Sequence, residues 1–101
     1  MEIEILGTVY TIYETDNIDA GIDGECNFYS KTIRIRSVNS LLDDGTLEEK
    51  SERHRQVIRH EIIHAMLHES GLNEYAHDET LVDWIALQFD KINKIVEQAG
   101  G

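Results

Sequence analysis

One long helix is written into the second half of this chain, and little else can be built around it. Thr46-Leu47-Glu48-Glu49 has the S/T-x-x-E form of a capping box, which opens a helix. The helical pattern then runs to about Glu69, and Gly71 stands where a helix commonly ends in a left-handed residue. The first turns, up to about Arg55, are strongly charged and are expected to be exposed. The middle carries Val57, Ile58, Ile62, Ile63, Met66 and Leu67 and must be covered by the rest of the chain.

Within that apolar middle lies His60-Glu61-Ile62-Ile63-His64, an H-E-x-x-H motif. Residues four apart on a helix share a face, so both imidazoles can reach one zinc ion. Glu61 is then placed to act as general base on a water at the metal. Five His and twelve Glu among 101 residues make roughly 0.03 chance matches to this motif expected, few enough for it to carry weight. His68 lies another four residues on, about 12 Å along the axis from His60, too far to share the ion, and reads as a cleft-edge or core residue. His54 falls among charges and is expected to be solvated.

A catalytic zinc takes a third protein ligand. Asp78-Glu79-Thr80-Leu81-Val82-Asp83 opens a second helical stretch. Glu79 suits the third ligand, with His77 as the alternative. Asp83, one turn on, can accept the free ring N–H of a ligand histidine and fix its orientation.

H-E-x-x-H followed by E-x-x-x-D resembles the gluzincin metallopeptidases, and the small size is similar to the minimal gluzincins and the ImmA/IrrE-type peptidases of phages and mobile elements. The resemblance covers about residues 26 to 90. It implies His60, His64 and Glu79 as zinc ligands, Glu61 as catalytic base and Asp83 as support for a ligand histidine. It also implies a substrate held as an added β-strand along a sheet edge. Cys26 to Tyr29 resembles the Asn-aromatic edge strand of that clan, so Asn27, Phe28 and Tyr29 are the substrate-side candidates, with Asn27 holding the substrate backbone. Fourteen residues between His64 and Glu79 is short for the clan and requires a tight turn. The metzincin pattern is absent, since Leu67 and Ser70 stand where Gly and His would be. No helix-turn-helix segment accompanies the domain. Tyr75 and His77, in the linker between the ligand helices, are candidates for the donor that stabilises an oxyanion.

The sequence upstream has strand character. Residues 2 to 14 carry Ile3, Ile5, Val9, Tyr10, Ile12 and Tyr13, one or two strands' worth, and residues 15 to 25 form a Gly/Asp-rich loop. Residues 26 to 36 read as a hairpin turning near Ser30-Lys31, with Ile33 and Ile35 inward and Arg34 and Arg36 outward. A second helix is expected to start between Asn73 and Asp78 and run to about Glu97, with Leu81, Ile85, Phe89, Ile92 and Val96 as its apolar stripe. Trp84 reads as core. The expected architecture is one α+β domain over residues 1–101. In it a small antiparallel or mixed sheet (about 2–37) packs on two helices (about 47–69 and 75–97), the layout the gluzincin resemblance also implies.

At 101 residues with 41% hydrophobic content the chain suits a single globular domain. A net charge of −11 disfavours nucleic acid and anionic membranes, since phosphate contacts need clustered Lys and Arg. It would favour basic peptides through long-range steering. One cysteine, Cys26, forbids an internal disulfide, and no segment reads as a signal peptide or membrane span, so a cytoplasmic protein is expected. The expected function is zinc-dependent hydrolysis of a protein or peptide substrate. The alternative is a catalytically silent, metal-stabilised protein-binding module.

Overall fold

The computed structural model describes residues 1–41 and 45–101. The order is β1 (Glu2–Ile5), β2 (Thr8–Thr15), β3 (Gly24–Asn27), β4 (Thr32–Arg36), a short 3₁₀ turn (Val38–Ser40), α1 (Leu47–Glu69), α2 (Asn73–Ala76) and α3 (Glu79–Gln98). The fold is α+β, with a four-stranded mixed sheet and three helices.

The strands lie in the order β1-β2-β4-β3. β1 and β2 form a tight antiparallel hairpin whose turn places Leu6 and Gly7 at positive φ, 49° and 90°. β2 pairs with β4 in parallel, and β3 pairs antiparallel with β4. β3 is therefore an edge strand, although it precedes β4 in the chain. Its register with β4 runs from Gly24 opposite Ile35 to Asn27 opposite Thr32. Phe28 and Tyr29, expected in this strand, belong instead to the turn that follows it. Asn27 ends the strand because its Oδ1 accepts from the backbone N–H groups of Tyr29 and Ser30, at 2.9 and 3.0 Å.

The core lies between one sheet face and α1. Ile5, Tyr10, Ile12, Ile33 and Ile35 meet Ala65, with Val57, Ile58 and Ile62 packed against them. Ile33 and Ile35 point inward as their alternation requires. Arg36 does not point outward. Its guanidinium is buried and donates to the carbonyl oxygens of Ile18, Asp19 and Ile22. The loop between β2 and β3 folds back over the end of β4, and the guanidinium supplies the partners its carbonyls would otherwise lack.

α1 runs as its sequence dictates. Thr46 and Glu49 form the capping box, and Gly71 at φ 80° closes the helix, with Gly71 N–H bonded to His68 O and Leu72 N–H to Leu67 O. Its last turn is tied to the sheet, because the Glu69 carboxylate accepts from Thr8 Oγ1, Tyr10 Oη and Lys31 Nζ at 2.7, 2.7 and 2.9 Å. His54 is not solvated as expected. It is mostly covered, with Nε2 3.1 Å from Glu14 Oε1 across the sheet edge.

The second helical stretch is broken in two. The four-residue α2 makes the tight turn after α1, and Asp78, accepting from Leu81 N–H, caps α3 afresh. α3 meets α1 through Val82 and Ala86, both buried, and through Asp90, paired with Arg59 at 2.9 Å. The stripe further along is uncovered: Phe89, Ile92 and Val96 are 47%, 42% and 48% exposed. Trp84 is also exposed rather than core. No helix among the described residues is long and apolar enough to cross a membrane.

Candidate metal centre

α1 and α3 cross so that the motif face of one meets the first two turns of the other. His60 Nε2 lies 3.0 Å from Glu79 Oε2, His64 Nε2 lies 3.0 Å from Glu79 Oε1, and the two Nε2 atoms are 3.1 Å apart. Among the described residues, His60, His64 and Glu79 form a group that can hold a metal ion.

The outer nitrogens of the two rings explain what converges at the centre. His64 Nδ1 lies 2.5 Å from the carbonyl oxygen of Ala76, which can only accept, so Nδ1 carries the proton. His60 Nδ1 lies 3.1 Å from Asp83 Oδ1, a carboxylate that likewise accepts. With both rings neutral, each Nε2 is then left with a lone pair. In that form two lone pairs and a carboxylate face one another within 3.1 Å, an arrangement relieved by a cation among them, either a metal ion or a further proton on one ring. A tetrahedral zinc at its usual bond lengths spaces its ligand atoms by ~3.3 Å, within a few tenths of an ångström of these separations. The donor set of two imidazoles and one carboxylate, with both rings oriented from behind, fits zinc.

The Glu61 carboxyl lies against Gly24 of the edge strand, and Glu61 is 6% exposed. Burial pushes its carboxyl up to about 7, with Glu79 and Glu25 adding to the rise and His60 opposing it. A carboxyl near neutrality can both take and return a proton, as a general base–acid must.

A cleft runs along β3 past this cluster. One cavity of about 360 Å³ lies toward Asp23, Arg53, Asp83 and Leu87, and a second of the same volume lies over His60, His64, Glu79 and Cys26. A third, of about 890 Å³, continues between β3's end and His68, Asn73 and His77. The first and second share Gly24, His60 and Glu61, and the second and third share Glu25, Cys26, Phe28 and His77.

His60, Glu61, His64, Glu79 and Asp83 are thus brought together. Phe28 is at the cleft as well, stacked flat on His68 with ring centres 4.1 Å apart and met edge-on by His77 at 5.5 Å. His77 lines the second and third cavities. Tyr75 lies on α2, half exposed, and lines none of the three. Asn27 and Tyr29 border the third cavity, Tyr29 fully exposed and the Asn27 carboxamide oxygen committed to its own turn. Sequence reasoning missed Gly24, which closes against Glu61, and Asp23, which holds Arg53 through Nε and a terminal nitrogen at 2.9 and 2.7 Å. A glycine opening a strand is the only local sign of the first, and nothing local marks the second.

No family model, no curated protein and no solved structure matches this chain.

Proposed function

We propose that this chain is a zinc-dependent peptidase of the gluzincin type on a minimal zincin-like fold. The observation that carries the reading is the meeting of the two Nε2 atoms and the Glu79 carboxylate beside the buried Glu61. His60, His64 and Glu79 would hold the ion. Bound there, zinc supplies Lewis acidity toward a water and toward the scissile carbonyl. Asp83 and the Ala76 carbonyl keep both rings presenting Nε2. Glu61 takes a proton from the attacking water and returns it to the leaving amine. His77, inside the cleft, is better placed than Tyr75 to donate to the developing oxyanion.

The cleft's shape supports a peptide substrate. β3 is an edge strand and its residues line neighbouring cavities, which suits an extended polypeptide joined by main-chain hydrogen bonds. A silent binding module would need the same cleft, but would have no use for Glu61 as a base. We assign the cytoplasm as its compartment, on the single thiol of Cys26.

A digest of a blocked-peptide library with the zinc-loaded protein tests the reading. Chelator-sensitive products are expected, and Glu61→Gln should keep one zinc per chain while losing cleavage. A wild-type chain that binds zinc and peptide but yields no products would leave the binding module as the answer. A chain that takes up no zinc would overturn both readings.

A further inference from the structure

α3 carries more apolar surface than α1 covers. At 3.6 residues per turn its side chains sort into two arcs. Asp83, Asp90, Lys91, Lys94 and Glu97 fall within about 120° of one another, and Trp84, Phe89, Ile92, Ile95 and Val96 fall within about 140° on the other side. Gln88 is the one polar residue in the second arc. That arc is open along its length: Trp84 and Ile95 are 56% and 64% exposed, beside the uncovered Phe89, Ile92 and Val96. Large apolar side chains gathered on one exposed helix face mark a surface that something covers. Charge says what kind of partner suits it. The chain carries −11, yet residues 84–98 hold two acids, Asp90 and Glu97, and two bases, Lys91 and Lys94, which sum to zero. A neutral, apolar face on an acidic protein is where a second copy can approach without setting acid against acid. A basic partner would be drawn to other faces, and an anionic membrane would be repelled.

We propose that this face pairs two copies of the chain, α3 against α3, antiparallel across a two-fold axis near Ile92. Ile92 is central both along the exposed stretch and across its arc. The axis therefore sets Phe89 of each copy opposite Ile95 of the other and brings the two Ile92 side chains close together. Antiparallel overlap of the uncovered halves carries the two bodies to opposite ends, whereas a parallel pairing would set two bodies of charge −11 side by side. Opposed helix dipoles favour the same choice. Phe89 and Trp84 supply the aromatic anchors that such contacts use. Glu79 and Asp83 lie on a different side of the helix, so pairing leaves the metal centre open and is independent of the peptidase reading. One helix half against another buries less than about 1,200 Å² in all, the range of weak associations. The dissociation constant is expected on the order of 100 µM, so dilute protein is monomeric and its stripe bare.

Sedimentation equilibrium of the full chain, from well below to well above that concentration and with or without zinc, tests this. A monomer–dimer equilibrium that closes at two is expected in both conditions. Ile92→Glu and Ile92→Lys should each raise the dissociation constant about tenfold or more, because like charges then meet across the axis. Equal amounts of the two variants mixed together should pair again, since opposite charges now face each other. Val9→Glu, at an apolar position 54% exposed on the sheet, should leave pairing unchanged. Circular dichroism of dilute protein checks that each variant is folded. Phe89→Ala, which adds no charge, should weaken pairing in the same direction and keeps the test decisive if a charged variant unfolds. A chain monomeric throughout would overturn the proposal and leave the stripe to a different protein. Dimers indifferent to the α3 substitutions would overturn it too, as would dimers broken equally by Val9→Glu or formed only with zinc. So would assemblies that grow beyond two, or folded charged variants whose mixture stays monomeric.

Discussion

His60 and His64 reach the same point with different backing. His64 is buried and leans on a backbone carbonyl of α2, whereas His60 is held by the exposed side chain of Asp83. Only the second support can be removed by mutation. If the proposed centre binds zinc, Asp83→Ala should lower its affinity about 10- to 100-fold with little change in fold, since the exposed carboxylate orients the His60 ring. Competition with a chromophoric chelator measures it, and an unchanged affinity would show that Asp83 is dispensable. That His60 shares a face with His64, and Glu79 with Asp83, was legible in the sequence because a helix fixes which neighbours share a face, whatever packs against it. Gly24 and Arg36 were not. Gly24 is needed because Val57 and Glu61 happen to approach it from a distant helix. The inward turn of Arg36 depends on a loop folding back over it.

At the scale of elements, α1 is anchored at its end by one carboxylate with three donors. The hydrogen bonds from Tyr10, Lys31 and Thr8 hold the Glu69 carboxyl down to about 2, from its ordinary 4.5. The folded protein therefore binds this proton more weakly than the unfolded chain. The stabilisation is complete above about pH 4.5 and is lost as the pH falls through about 2. Chemical denaturation between pH 5 and 2 should show wild-type stability falling more steeply than that of Glu69→Gln, and parallel curves would refute the assignment. α3 presents the opposite case. Val82→Ala, at a fully buried position, should cost about 2 kcal/mol, while Ile92→Ser or Val96→Ser on the uncovered stripe should stay within about 0.5 kcal/mol. Thermal melting separates the two. The sequence period puts these residues on one face, but periodicity says which residues share a face and not what lies over it. α1 reaches only the first half of α3, so the rest stays bare.

At the scale of the whole molecule, the α1–α3 junction rests on a small apolar contact and several polar ones, Arg59 with Asp90 and His60 with Asp83 and Glu79. An ion bound to both helices would act as a rivet between them. Zinc at a hundred times its dissociation constant should add about 2.7 kcal/mol to stability. A chelator should reverse this, with amide exchange in the first turns of α3 the most affected. A melting temperature indifferent to both would remove the metal from the account. The boundaries of α1 and the α+β class were open to reading from local pattern, whereas the break between α2 and α3 was not. The strand order was not, since nothing in residues 24–36 says that β4 slots between its own hairpin partner and β2.

That order leaves β3 bonded on one flank only. Under the function proposed here, a target completes the sheet by lending it a fifth strand, and recognition is written largely in main-chain geometry. Such an enzyme would choose its victims less by the letters they carry than by whether a stretch of them hangs loose. A natively folded neighbour would escape, and the same protein, once partly unravelled, would not.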